Sequence, residues 1–287
     1  MKQVQLGKTG YMISNVCYAG IVSMDDGQDQ SDQYVEYAIE KGVNYFDVAP
    51  TYGDAEEKLG ISLKPYRKDI FLACKTAQRD AEGAKVEIHK TLELLHTDYM
   101  DNYQLHAITT VEEVERVFQT GGAFDTILKR KEEGVIKCLG ITCHSEEAGL
   151  RAIELYDFDT VLFPTNYGLH KKKAFGTNLL RACKEKNMGI LGMKSLIERA
   201  WESEEEKKAT KYLKSWCKPI PKEEEAFRNA AMKYAYTMGA DSIVPPGNFE
   251  CFSYAVEHSD TILEDMTEEE KNLLIQKADQ IRERHFF

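Results

Sequence analysis

Three apolar runs in this chain end on an ionisable residue: VNYFD (43–47) on Asp47, IFLACK (70–75) on Lys75, and NYQLH (102–106) on His106. All three side chains give and take protons in catalysis. One charged strand end is ordinary, because a strand must stop somewhere. Three on successive runs predict a shared site, provided the fold brings those run ends to one place. In an α/β barrel the carboxyl ends of consecutive strands line a common mouth, which is where such folds keep their chemistry.

The rest of the chain predicts such a fold. Apolar runs alternate with amphipathic stretches: VCYAG (16–20) with 31–41, 43–47 with 54–64, and 70–75 with 81–95. The pattern continues with 100–106 and 111–133, 135–142 and 146–156, and 160–165 and 171–186. MGILGM (188–193) precedes a charged stretch and helix 223–238, and DSIVP (241–245) precedes a tail helix opened by Thr267 and Glu270 in capping-box spacing. Ser31 or Asp32 reads as the first helix's N-cap, and Val86, Ile88, Leu92 and Leu95 as the apolar stripe of 81–95. Strand-then-helix repetition implies parallel strands covered by helices. A doubly wound sheet and a closed barrel both satisfy it. Eight units favour a single (β/α)8 TIM barrel over 1–287, with a short N-terminal hairpin and a C-terminal helix. No GxGxxG follows a strand, which also weighs against the dinucleotide-binding sheet.

Two further segments have a place in this scheme. Residues 2–13, with turn GKTG, read as a hairpin under the barrel. GKT also matches part of a phosphate loop, but the glycine required five residues earlier is Lys2. Residues 199–222 read as a surface insertion after the seventh strand, with WESEEEKKATKYLKSW (201–216) an exposed charged helix whose Trp201 and Trp216 pack on the barrel.

Composition narrows the function classes. Lys and Arg number 37 against 48 Asp and Glu, a net charge of −11, which argues against a nucleic-acid partner. The polar first residues lack the apolar core of a signal peptide, and no apolar stretch is long enough for a membrane span. Seven cysteines form an odd set without CxxC, so reduced thiols and a cytoplasmic location are expected. No HExxH or Cys/His spacing predicts a metal site. The acidic run EDMTEEEK (264–271) reads as a helix start and a solvated face.

With these residues in view, YFDVAPTYGDAEEKLG (45–60) resembles the signature of the aldo-keto reductase family, with Asp47 and Tyr52 five residues apart. Lys75 in ACKT, His106 in YQLHA and the entry segment LGKTGYMIS are similar to the family as well, and the likeness extends over about residues 2–260. The resemblance implies an NAD(P)H-dependent oxidoreductase that reduces an aldehyde or ketone to an alcohol, its partner a small-molecule carbonyl. Tyr52 would be the proton donor. A free phenol near pKa ~10 is a poor donor at neutral pH. Lys75 as ammonium would favour the phenolate and lower that value, Asp47 would keep the lysine charged, and His106 would donate to the carbonyl oxygen or relay a proton.

The resemblance also implies cofactor-binding residues: Gly20, Ile21, Thr142, His144, Asn166, Met193, Lys194, Ser195, Leu196, Gly247, Asn248 and Glu250. GMKSL (192–196) is similar to the pyrophosphate-contacting segment, with Lys194 as its cation, and PPGN (245–248) to the turn beside the adenosine phosphate. The family's carboxamide clamp is altered. Thr142, Cys143 and His144 stand where a Ser with Asn, or with Gly and His, is usual, and Leu162 replaces a Gln. His144 or Asn166 would have to compensate, although a hydrogen-bonded rim residue is the plainer reading of His144. Segment 241–270 contains no Lys or Arg and carries Glu250, so NADH should serve at least as well as NADPH unless a basic residue such as Arg199 or Lys222 reaches the 2′-phosphate. Two other readings remain: a reductase-like nucleotide-sensing barrel with little turnover, favoured by the altered clamp, and a phosphate-binding barrel isomerase, which leaves Tyr52 idle.

Overall fold

A computed structural model describes residues 1–282; the aromatic tail HFF (285–287) lies outside the described residues. Strands β1 (Gln3–Gln5) and β2 (Met12–Ser14) form an antiparallel hairpin. Strands β3 (Tyr18–Ala19), β4 (Tyr45–Asp47), β5 (Phe71–Thr76), β6 (Met100–Ile108), β7 (Ile136–Cys143), β8 (Thr160–Pro164) and β9 (Gly189–Met193) follow. After β10 (Ile197–Arg199) and β11 (Lys218–Pro219), which pair with each other, β12 (Ser242–Val244) completes the set. The eight strands β3 to β9 and β12 lie side by side in chain order and parallel, and a bridge between Val16 and Ile243 joins the two ends of the sheet. This is the expected (β/α)8 barrel.

The helices between strands are α1 (Gln28–Glu40), α2 (Ala55–Leu63), α3 (Ala81–Leu94), α4 (Val111–Phe118), α5 (Ala123–Glu132) and α6 (Glu146–Leu155). They continue with α7 (Tyr167–Lys173), α8 (Thr177–Glu185), α9 (Glu204–Lys208), α10 (Glu225–Thr237), α11 (Phe249–Glu257) and α12 (Glu268–Gln280). None of these helices is long and apolar enough to cross a membrane.

Several local expectations are corrected. The first helix starts at Gln28 after Gly27, so neither Ser31 nor Asp32 is its N-cap. The predicted helix 111–133 is two helices. A side chain on Gly122 would lie 2.1 Å from the carbonyl oxygen of Val117, and Gly121 sits at φ 79°, so the chain turns there. Likewise 171–186 begins earlier, at Tyr167, and breaks where Ala174 and Gly176 adopt left-handed conformations. Val86 is 60% exposed, leaving Ala84, Ile88 and Thr91 as the buried face of α3. In 201–216 only Glu204–Lys208 is helical.

The hairpin closes the barrel floor through Leu6 and Ile13, which pack with Tyr45, Phe71, Leu162 and Leu191. Gly7 is required there: at φ 44° it lies so close to β9 that a Cβ would fall 2.2 Å from the Gly189 nitrogen. At the other flank, α12 packs Leu274 and Ala278 against Phe227 and Ala230 of α10, its start fixed by the reciprocal Thr267 and Glu270 capping bonds. The carboxyl ends of the strands are thereby left as one open mouth.

Candidate active site

Parallel register fixes which side chains meet at that mouth. Asp47 of β4 stands opposite Ala73 of β5, and Lys75 opposite Gln104 of β6. Asp47 and Lys75 are almost fully buried, and Lys75 donates to Asp47 Oδ1 and, at 3.0 Å, to the carbonyl of Val48. Two unpaired charges at this depth would be costly; together they satisfy each other. Tyr52 arrives on the turn before α2, held by its amide to Ala49, with the Lys75 ammonium 4.9 Å from its ring centroid. The ring of His106, from the end of β6, meets Tyr52 edge-on with centroids 6.0 Å apart. These four expected residues line one cavity of about 320 Å³.

The electrostatics divide the work. Burial disfavours a charged lysine, yet Asp47 and Tyr52 outweigh it and hold Lys75 above its ordinary value. Burial pushes the Tyr52 phenol up, and Lys75 opposes the rise without cancelling it. A phenol lowered overall is therefore not what the free protein carries, because desolvation outweighs the ammonium. Burial, with Lys75 and Arg79 nearby, lowers His106 to about 3, so it is a neutral imidazole at physiological pH. Burial and Lys194 lower His144 to about 4.

Of the residues expected to bind cofactor, Ile21, Thr142, His144, Met193, Lys194 and Gly247 also line the cavity. The others stand back from it. Gly20 packs against Val48 and Leu59. Asn166 is the N-cap of α7 and spends its amide on the carbonyls of Lys194 and Ile197, so it has no group left to replace the missing clamp. Leu196 is buried in the core, and Asn248 caps α11. Ser195 is fully buried, and its hydroxyl lacks a partner among the described residues. Thr142 accepts the Ala107 amide at 2.6 Å.

Glu250 is not available in the way expected. It accepts from buried Arg228 of α10 at 2.5 Å and from Tyr212 at 2.8 Å, with Lys211 at 3.7 Å. Segment 241–270 carries no Lys or Arg of its own, and basic residues from elsewhere in the chain reach Glu250 instead. The two cations come from α10 and from the insertion, while Arg199 is committed to Glu206.

Residues absent from the expected set complete the site. Gln104 donates to Asp47 Oδ2 at 2.7 Å, and Tyr45 reaches the same oxygen at 3.3 Å. Gly140, opposite Gln104, makes room for it, since a Cβ there would lie 2.9 Å from Gln104 Cγ. The alternation Asn102, Gln104, His106 along β6 was the available signal. The insertion also takes part: Lys214, Ser215, Trp216 and Cys217 line the cavity, and the Trp216 ring lies 5.4 Å from that of Tyr52. It is a strap across the mouth more than a surface excursion. Among the described residues no group of three His, Cys, Asp or Glu could hold a metal ion.

Comparison with known proteins adds the ancestry. A family model described as the Aldo/keto reductase family matches residues 22–244. An uncharacterised oxidoreductase of Bacillus subtilis, YqkF, is 33% identical over 156 residues, 50% of this chain and 49% of the relative. L-galactose dehydrogenase of Arabidopsis thaliana is 28% identical over 248 residues, 74% of each chain. The match to a D-threo-aldose 1-dehydrogenase of a Pseudomonas species covers 63% of that protein, so the chain spans about half to two thirds of the first of these relatives. In fold, an aldo-keto reductase from Bacillus halodurans in its holo form aligns over 99% of both chains with TM-score 0.72 at 19% identity.

Proposed function

The chain belongs to the aldo/keto reductase family, and from that premise we propose that it is an NAD(P)H-dependent oxidoreductase reducing a small aldehyde or ketone to its alcohol, with Tyr52 as proton donor. The observation that carries this reading is a buried Lys75 shared between the Asp47 carboxylate and the face of Tyr52, on the wall of a cavity large enough for a small ligand.

The residues present fit a nicotinamide dinucleotide over most of its length. Lys194 lines the cavity, a cation suited to the pyrophosphate. Gly247 packs so closely on Ile21 that a Cβ would lie 2.3 Å from Ile21 Cγ2, which keeps that wall as bare backbone beside the adenosine end. His144 and the Thr142 hydroxyl, which accepts the Ala107 amide and keeps its O–H to donate, are the polar side chains for the carboxamide, since Leu162 is apolar. When bound, the reduced nicotinamide supplies a hydride to the carbonyl carbon.

The chain's own groups supply the proton and hold the charge. Tyr52 gives its phenolic proton to the carbonyl oxygen as negative charge develops there. Lys75, kept charged by Asp47, stabilises the phenolate that remains. Neutral His106 donates an N–H to the same oxygen, helping to orient it. The exchange balances as carbonyl, NAD(P)H and a proton giving alcohol and NAD(P)⁺.

The test is NAD(P)H consumption with a panel of aldehydes and ketones, together with Tyr52→Phe. The variant should bind cofactor within a few-fold of the parent and turn over ~10²-fold or more slowly. Cofactor binding without consumption across the panel would instead favour a nucleotide-sensing barrel.

A further inference from the structure

The strand that carries His106 does not end regularly. Leu105 of β6 stands opposite Ile141 of β7 and Ile108 opposite Cys143, so His106 and Ala107 together face the single residue Thr142. That is a β-bulge, which bends a strand and re-aims the side chains beside it. Ala107 carries the cost, at φ 52° in the left-handed region that a residue with a Cβ rarely adopts. Such a conformation persists only where its neighbours over-determine it. Here both polar groups of the His106–Ala107 peptide are held by side chains. The Ala107 N–H donates to the Thr142 hydroxyl at 2.6 Å, and the His106 carbonyl accepts from Arg79 Nη2 at 2.8 Å.

Arg79 is itself fixed. It lies in the loop between β5 and α3, and its Nη1 donates to the Ala77 carbonyl at 3.1 Å. Its Nε and Nη2 donate to Glu113 Oε1 of α4 at 3.3 and 3.1 Å. The other Glu113 oxygen takes the amide and hydroxyl of Thr109, just past the bulge, at 2.8 and 2.6 Å. The Arg79 carbonyl accepts the Ala123 amide at 3.2 Å, beside a bridge between Asp80 and Gly122, which ties the loop to the start of α5. A rigid guanidinium fork holds a carbonyl and a carboxylate together at set angles, which a single ammonium does not. An ion pair with Glu113 alone would only join the loop to α4. The bond to the His106 carbonyl is what reaches the end of β6.

We propose that Arg79 is a positioning residue for carbonyl reduction: with Thr142 it locks the His106–Ala107 peptide, and so keeps the His106 ring edge-on to Tyr52, where its N–H meets the carbonyl oxygen. This rests on the reductase reading above. Relaxing Ala107 requires that peptide to turn, and the turn would swing His106 away from Tyr52. Burial first, then Lys75, Arg79 and His144, all disfavour a proton on this imidazole, so the arginine also helps to keep His106 a neutral donor.

Three measurements on the full chain test it. With NAD(P)H and 4-nitrobenzaldehyde, Arg79→Ala should lower kcat ~10-fold or more and leave KM within about threefold. Because Arg79 acts through His106, the same change made in a His106→Asn protein should lower kcat by no more than about threefold further, whereas a merely structural loss would multiply with the first. Hydrogen exchange followed by NMR gives a signature that needs no turnover: the Ala107 amide should exchange ~10-fold or more faster in Arg79→Ala, with the amides of β8 and β9 unchanged within about threefold. Arg79→Lys, which keeps the charge and loses the fork, carries the same three readouts if the alanine protein does not fold. An Arg79→Ala enzyme with the parent's kcat, losses that multiply in the double variant, or an Ala107 amide that exchanges as in the parent overturns the proposal. Absence of Tyr52-dependent turnover with every carbonyl overturns the reductase reading instead, and the exchange of Ala107 still decides whether Arg79 holds the peptide.

Discussion

Gln104 and Asp47 share a hydrogen bond of 2.7 Å on the carboxylate oxygen that Lys75 does not use. Asp47 is thereby gripped from two directions, Lys75 on Oδ1 and Gln104 on Oδ2, with the Tyr45 hydroxyl behind it at 3.3 Å. A carboxylate free to rotate would share the Lys75 proton in several geometries. This one is confined to a single geometry.

Replacing Gln104 with Leu should therefore act through Asp47 and Lys75. A hydrogen bond to a charged group contributes about 1.5–3 kcal/mol, so kcat is expected to fall roughly tenfold or more while KM changes little. A merely structural role would lower the melting temperature and leave the pH–rate profile in place. A positioning role shifts that profile, and Gln104→Glu, adding a carboxylate beside Asp47, should shift it further. A Gln104→Leu enzyme with the parent's kcat and pH profile would refute the role.

What the sequence made legible follows from distance along the chain. Asp47, Lys75 and His106 were visible because each ends its own apolar run, and parallel strands bring run ends together whatever the intervening helices do. Gln104 was signalled only by its alternation with Asn102 and His106, and a neutral amide inside an apolar run does not point to chemistry until its neighbour across the barrel is known. Trp216 was misplaced for a different reason: WESEEEKKATKYLKSW has helical composition, but pairing of β10 with β11 and the Lys214 anchor pull its end across the mouth. Tertiary contacts overrode local propensity there. Arg228 and Glu250 lie 22 residues apart on different helices, and no local pattern joins them.

Lys75 and Tyr52 make a titration prediction with a definite sign. Burial raises the phenol and Lys75 opposes that rise, so removing the ammonium should raise it further. In the parent, the 295 nm difference spectrum against Tyr52→Phe should show no phenolate below about pH 10, the ordinary tyrosine value. In Lys75→Met the corresponding limb should move upward, and kcat for carbonyl reduction should drop by ~10²-fold or more. A phenolate limb near neutral pH in the parent, or an unmoved limb in an active Lys75→Met enzyme, would sink the assignment.

The two cavity histidines predict an acid limb of stability. Unfolded, each imidazole takes a proton near pH 6.5; folded, His106 does so only near 3 and His144 near 4. Between those values the unfolded chain binds more protons, so stability falls as pH drops below about 6.5. The double variant His106→Asn, His144→Asn should lose less melting temperature than the parent between pH 7 and pH 4.5. Parallel melting curves for the two proteins over that range would contradict the shifts.

Cofactor choice turns on Glu250. The resemblance sets the adenosine phosphate beside the Pro-Gly turn, and Gly247 of that turn lines the cavity. Two residues past Asn248 the Glu250 carboxylate occupies the donors of buried Arg228 and the Tyr212 hydroxyl, with Lys211 at 3.7 Å. Positive charge is present, contrary to what segment 241–270 suggests by itself, but the acid spends it. A 2′-phosphate would have to compete with Glu250 for Arg228 and would meet like charge in doing so, whereas a ribose hydroxyl needs no cation. NADH should therefore bind at least as well as NADPH. Glu250→Gln keeps an acceptor for Arg228, so the buried guanidinium is not stranded, and removes the repelling charge. Restoring charge-assisted bonds of about 1.5–3 kcal/mol corresponds to roughly 10- to 150-fold, so the NADPH dissociation constant should fall by at least tenfold in this variant while that for NADH stays within about threefold. Fluorescence titrations of both cofactors at one salt concentration measure this. A parent that binds NADPH tenfold tighter than NADH, or a Glu250→Gln protein with an unchanged ratio, would show that the pair does not set the preference.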